Sequence, residues 1–370
     1  MWQHIGSCRY VWNWILTKQR ELYEQGEKHL SAFSMMKLLT SVKNDGEHEW
    51  LYNVSSTSLQ IVCRDLQKAY DRFFKKVSGF PKFKSRKRSK PSYPVCGNRF
   101  YFIDSKMIQI QKLGKVRYKT DFNFPFGREH KFSNPRIKNQ NGKWILSFGM
   151  ECENQALQLT DTSMGIDLGI KDLAIVENDG NKIVFHNINK SKKIKKLNKK
   201  LKYYQRKVSR QYRVNPKNKF SSEAKGTHWE KSKNIVKTEN KIRKIHAKIA
   251  NIRYNYIHQT THELIEMLPH RIVMEDLKIS NMIKNRHLSR AISEMCWYEF
   301  IRQMKYKSEW NGIEFVQVDR FYPSSKTCSC CGNIKKDLKL SERTYICDIC
   351  GLTIDRDYNA AINLSKYLGT

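Results

Sequence analysis

No apolar run in the 370-residue chain approaches the roughly 20 residues that a membrane-spanning helix needs, so no spanning helix and no membrane partner are expected. The opening residues, Met1 to Cys8, lack a cationic segment followed by an apolar core. No signal peptide is expected, and the chain is read as cytoplasmic. Disulfides are rare in that compartment, which leaves the ten cysteines as thiols or metal ligands. No internal repeat is evident. Acid is also short. Thirty-five Asp and Glu stand against 69 Lys and Arg, and a net charge of +34 would repel itself in isolation. A large polyanion is the expected partner, with a ribosomal-type or histone-like binder as the plainer alternative.

What is present is a globular composition, 39% hydrophobic and 12% aromatic, on a chain long enough for two or three domains. Residues 1 to about 78 read as helical. Tyr10, Val11, Trp14, Ile15 and Leu22 recur at helical spacing, as do Leu59, Val62, Leu66, Tyr70 and Phe73. Ser55 to Ser58 offer N-caps for the second of these stripes. From Phe80 to Tyr93 the chain is basic, interrupted by proline and interleaved with aromatics. That pattern suits phosphate contact combined with stacking on bases. Its candidate contacts are Lys82, Lys84, Arg86, Lys87, Arg88 and Tyr93.

Short alternating segments between Arg99 and Met150 predict a small antiparallel β unit, read as a barrel. From Met164 a β-meander turns at Asn178, Asp179 and Gly180. Two long polar helices follow, about 194–212 and 232–267, joined by a basic linker over 214–227. Their cationic outer face makes Arg206 and Arg210 further candidates for nucleic-acid contact. A buried strand at 271–274, a helix near 291–310, a strand at 314–318 and a closing helix at 359–368 complete the chain. The alternation predicts an α/β layer with a mixed sheet. Cys8, Cys63, Cys96, Cys152 and Cys296 lie among apolar residues and read as buried thiols, with Cys330 a spectator.

Two patterns carry chemistry. Cys328 and Cys331 form one Cys-x-x-Cys pair, and Cys347 and Cys350 form another fifteen residues on. That spacing lies in the zinc range, and four thiolates leave no open position, so the expected zinc is single and structural. The second pattern is acidic. Asp167 interrupts a strand written for burial, and a lone buried carboxylate costs several kcal/mol unless a cation or hydrogen bonds compensate it. Glu275 ends an apolar strand, and Asp357 stands near the start of the last helix, whose dipole favours a carboxylate. Converging carboxylates are what two magnesium or manganese ions need for phosphodiester hydrolysis. Either Asp355 or Asp357 could instead be the helix cap, and Glu275 could be a solvated strand end.

The segments Gly165–Gly169, Val273–Leu277, Tyr322–Gly332, Cys347–Gly351 and Asp355–Ala361 together resemble the TnpB family, transposon-encoded RNA-guided DNA endonucleases related to type V CRISPR effectors. The resemblance reaches upstream through Trp50, Leu51 and the 80–85 segment, so it covers nearly the whole chain. It implies a multidomain α+β protein: a helical recognition domain over 1–78, a β-barrel wedge domain over 79–160, and an RNase H-like RuvC nuclease domain over 161–370. Within the nuclease, a helical lid-bearing insertion would fill about 190–268 and a target-nucleic-acid-binding ribbon about 322–354.

By the same resemblance the catalytic triad falls on Asp167, Glu275 and Asp357, and the zinc ligands on Cys328, Cys331, Cys347 and Cys350. The family's opening strand precedes a segment that here already begins at Gly6, which is a departure from its pattern. The implied partners are a guide RNA from the transposon end and target double-stranded DNA, bound by a monomeric ribonucleoprotein. Ser56, Thr57 and Gln60, at the start of the second helical stripe, are the candidates for contact with the motif flanking the target. A nuclease-inactive guided repressor and an RNA-independent transposase or resolvase are the alternatives.

Overall fold

In the computed structural model, residues 1–122, 124–151, 157–215, 231–339 and 342–367 are described, the side chain of Asn98 excepted. They divide into two compact units, Met1–Cys152 and Glu153–Thr370.

The first unit opens with helices α1 (Trp2–Glu24), α2 (Ala32–Lys43) and α3 (Ser56–Phe74). Their apolar stripes close on one another through Val11, Ile15, Leu16, Leu39, Leu59 and Leu66, all buried. Ser55 precedes α3 without capping it; its hydroxyl donates instead to Gln111 Oε1 at 2.9 Å. Six strands follow: β1 (Ser92–Pro94), β2 (Phe100–Phe102), β3 (Met107–Ile110), β4 (Gly114–Arg117), β5 (Ser133–Gln140) and β6 (Lys143–Gly149). They pair in the orders β1-β5-β6 and β2-β3-β4, antiparallel throughout. Among the described residues no ladder joins the two sheets, so they do not close into the ring expected of a barrel. Aromatic packing holds them instead, with Phe148 of β6 against Phe100 and Phe102 of β2, each at 5.8 Å between ring centroids.

The second unit is built on a five-stranded mixed sheet in the order β9-β8-β7-β10-β11. The strands are β7 (Thr160–Leu168), β8 (Asp172–Asn178), β9 (Asn181–His186), β10 (Pro269–Glu275) and β11 (Glu314–Val318). The first three form the expected meander. Its tight turn places Asp179 at φ +52° and Gly180 at φ +76°, the left-handed pair that an Asp-Gly hairpin favours. β10 and β11 join parallel to β7. Between them run the helical hairpin α4 (Lys192–Arg213) and α5 (Lys233–Glu266), the short α6 (Ile279–Met282), α7 (Ser289–Met295) and α8 (Trp297–Trp310). The 214–227 linker lies largely outside the described residues.

The helix expected over 291–310 is broken at Cys296, which sits at φ +57°. The break has a packing cause. Ile292 and Met295 form one buried stripe and Trp297, Phe300 and Met304 another, and all five enter the same core. Met295 and Trp297, two positions apart, would point to nearly opposite sides of one continuous helix. The chain ends in the hairpin β12 (Thr344–Ile346) and β13 (Thr353–Asp355) and in α9 (Arg356–Ser365).

Strand alternation sorts the sheet into two faces. Met164, Ile166, Ile272 and Met274 pack with Ile257 and Leu264 of α5 and Phe300 of α8. Val273 and Val318, on the other face, pack with Leu364 of α9. Of the cysteines read as buried, Cys8 and Cys63 are so, Cys96 and Cys296 are only half-buried, and Cys152 lies outside the described residues.

Candidate active site

The parallel ladder pairs Met274 with Ile166, and the next residues outward on these neighbouring strands are Glu275 and Asp167. Alternation puts both on the face that carries Gly165 and Val273, the face that α9 covers. That face has no room at Gly165. A Cβ there would lie 2.0 Å from the Ala361 carbonyl oxygen and 2.4 Å from the Ser365 nitrogen, so α9 rests on bare strand backbone. Tyr358 pins the helix laterally, its hydroxyl donating to Glu177 on β8 at 2.8 Å.

The cap of α9 separates the two aspartates at its start. Asp355 is the N-cap, its Oδ1 accepting from the Tyr358 N–H at 3.0 Å. Asp357 lies within the first turn and is left available; among the described residues its one charged partner is the Arg343 guanidinium, 3.8 Å away. The structure brings the acidic residues together electrostatically. Withdrawal from water is the main cause that pushes the Asp167 carboxyl well above the usual aspartate range. The negative charges of Glu275 and Asp357 push it the same way, and Arg356 opposes them. Glu275 Oε1 accepts from the hydroxyl of buried Ser324. A cluster of half-buried carboxylates is the donor set expected for hard divalent cations.

The four thiols meet as well. The sulfurs of Cys328, Cys331, Cys347 and Cys350 all lie within 4.8 Å of one another, with the 328–350 and 331–347 pairs at 3.6 Å. Zinc–sulfur bonds of about 2.3 Å in a tetrahedron would put the sulfurs about 3.8 Å apart, so the set fits a tetrahedral ion. Gly332 at φ +76° and Gly351 at φ +72° end the two turns. The backbone N–H groups of Cys350 and Ile349 hold the Cys347 thiol down to about 6. Cys330 is exposed and outside the quartet.

The remaining candidates differ in availability. Ser56 and Gln60 are exposed and Thr57 half-buried; Lys82, Arg86, Lys87, Arg88, Arg206 and Arg210 are exposed. Tyr93 requires correction. It is only 1% exposed inside the first unit, beside His4 at 4.9 Å between rings, so its ring offers no face to a base. A β1 strand unseen in the basic run places it there. Lys84 is half-buried, with its ammonium 3.4 Å from the Trp12 ring centroid, and burial pushes it down to about 8. Phe80 and Phe83 hold the Arg20 guanidinium between them.

Sequence reasoning missed Ser324, Arg343, Asn359 and Asn363. Asn359 and Asn363 tie α9 to the segment leading into the thiol pair, through the Thr327 carbonyl at 2.7 Å in each case. The Tyr322–Gly332 and Asp355–Ala361 segments held two of these four residues, Ser324 and Asn359, but nothing in their spacing tells which side chains turn inward.

A family model described as "Probable transposase" matches residues 147–286, one described as "Cas12f1-like, TNB domain" matches 297–364, and one described as "Helix-turn-helix domain" matches 1–28. A putative RNA-guided DNA endonuclease, InsQ, of Escherichia coli K12 is 33% identical over 98% of this chain and 87% of its own length. A putative RNA-guided DNA endonuclease of Streptomyces pristinaespiralis is 31% identical, over 97% of this chain and 83% of its own. The CRISPR-associated endodeoxyribonuclease Cas12f1 of Sulfoacidibacillus thermotolerans is 28% identical across 61% of this chain and 51% of its own. Among solved structures, a chain of a Cas12f1–sgRNA–target DNA complex matches at 16% identity, over 98% of this chain and 93% of that one, with a TM-score of 0.37, too loose a likeness to argue from.

Proposed function

Because the chain belongs to the TnpB family of transposon-encoded RNA-guided DNA endonucleases, we propose that it is itself one: a transposon-end guide RNA selects target double-stranded DNA, and a single acidic site cleaves it. The observation that carries the chemistry is the action of the Glu275 and Asp357 charges on the Asp167 carboxyl, from the neighbouring strand and from α9. In this reading residues 1–78 are the recognition domain, 79–160 the wedge domain and 161–370 the RuvC-like nuclease, acting as a monomeric ribonucleoprotein.

Each side chain then has a task. Asp167, Glu275 and Asp357 hold two magnesium or manganese ions, and α9 sets the distance of Asp357 from the strands through its contact at Gly165. When bound, those ions supply Lewis acidity and positive charge for phosphodiester hydrolysis. Cys328, Cys331, Cys347 and Cys350 hold one zinc, whose closed thiolate shell gives it a structural part. The exposed cations of α4, Arg206 and Arg210 among them, and those of 82–88 meet phosphates. Base pairing with the guide reads the target, while the protein reads a short flanking motif and the shape of the heteroduplex.

The test is cleavage of a target plasmid in magnesium by the protein purified with its guide. Wild-type protein should carry nuclease-sensitive RNA and cut, and Asp167→Ala should not. An Asp167→Ala protein that cuts like wild type would overturn the acidic site. Wild-type cutting without RNA would instead mean a direct transposase or resolvase, and guided binding without cutting a repressor.

A further inference from the structure

We propose that Ser324 is a positioning residue for Glu275, setting the orientation of its carboxylate as a cation ligand and linking that orientation to the fold of the thiol ribbon. The proposal rests on the nuclease reading above. Its physical basis is the freedom of a glutamate. The last torsion of a Glu side chain is broad and does not select a carboxylate plane by itself. Here one oxygen, Oε1, is engaged by the Ser324 hydroxyl, and among the described residues Oε2 has no hydrogen bond. The plane is thereby set, and Oε2 keeps its lone pairs for a cation.

The serine is itself held. It is 2% exposed, so its hydroxyl does not exchange Glu275 for solvent. Its N–H donates to the Tyr322 carbonyl at 2.8 Å, and its carbonyl accepts from Asn363 Nδ2 at 2.7 Å. The same Asn363 nitrogen donates to the Thr327 carbonyl at 2.7 Å, immediately before the first thiol of the ribbon. One amide on α9 therefore fixes both the serine that faces Glu275 and the entry of the ribbon. A hydrogen-bond partner behind a ligating carboxylate typically changes metal affinity 10- to 100-fold when removed.

The test is Mn²⁺ binding by the full ribonucleoprotein, followed by the loss of the free-ion electron paramagnetic resonance signal, with zinc content measured on the same samples. Ser324→Ala should keep its zinc and bind Mn²⁺ about 10- to 100-fold more weakly. In a Glu275→Gln background the same substitution should change Mn²⁺ affinity no further. Wild-type affinity in Ser324→Ala, or an equal loss in the Glu275→Gln background, would overturn the proposal. An Asp167→Ala control separates the two readings. If it binds Mn²⁺ as wild type does, the acidic site itself falls; if only the serine effect is missing, the site stands without this support.

Discussion

The side-chain oxygen of Asn359 accepts the backbone N–H of Ser329 at 3.0 Å, joining the first turns of α9 to the middle of the first thiol pair. Its amide nitrogen donates to the Thr327 carbonyl at 2.7 Å, and the side chain is fully buried. The turn that presents Asp357 and the turn that presents Cys328 and Cys331 thus share one residue as their common anchor.

Removing that anchor should be costly. Asn359→Ala would leave a backbone donor and one bond of an acceptor unmade, each worth about 1–3 kcal/mol when buried. The second unit should lose about 2–4 kcal/mol, a fall of roughly 5–15 °C in calorimetric melting temperature. An unchanged melting temperature would show that the two turns hold their places independently.

Gly165 offers a harder steric test. Both atoms that crowd an added Cβ belong to the α9 backbone, so no side chain can rotate out of the way. Gly165→Ala should destabilise the second unit by at least ~3 kcal/mol, roughly 6–12 °C, and slow cleavage by lifting Asp357 from the strands. Denaturant melts and single-turnover cleavage rates, compared with wild type, measure both effects. A variant as stable and fast as wild type would mean that α9 can ride higher without consequence.

Acid should find His4. The ring is 4% exposed, neither nitrogen has a partner among the described residues, and burial pushes the imidazole down from 6.5 to about 4. In that window the unfolded chain binds a proton that the folded chain does not. The contribution is therefore complete above pH 6.5 and is lost as pH falls toward about 4. His4→Leu should flatten this part of the stability–pH curve in urea titrations. Parallel curves for the two proteins over the window would contradict the assignment.

The ribbon should depend on its ion. Among the described residues its own apolar cluster contains Cys328, Leu338, Tyr345 and Cys347, with Leu352 and Ile354 packed against it, too little to fold without a cross-link. Atomic absorption should find one zinc per chain, released by a strong chelator and missing from Cys347→Ser. Cys347 is the informative choice because Cys330 lies beside the other pair and could substitute there. Loss of zinc should also abolish cleavage; full activity in a zinc-free protein would separate the ribbon from the acidic site.

Much of this was legible in the residues because the signals were redundant. Asp167 stood out against an apolar strand, and the cysteine spacing needed no three-dimensional information. The illegible parts depended on partners distant in sequence. Which aspartate caps α9 was undecidable until Asp355 was seen to accept the Tyr358 N–H. Tyr93 read as a surface aromatic because its neighbours are basic, yet β1 pairs with β5 some forty residues on and turns the ring inward. The break at Cys296 required knowing that both of its flanking stripes enter one core. Ser324 carried no periodicity at all.

The alternation of β7 and β10 also bears on which length changes the protein can survive. One face of these strands is packed apolar core and the other carries the carboxylates, so inserting or deleting a single residue upstream of Asp167 within β7 would exchange them. A change of two residues would keep the parity while shifting the register against β10. Drift in this lineage should therefore accumulate as length variation in the segments between elements, with the strands themselves held to a constant count.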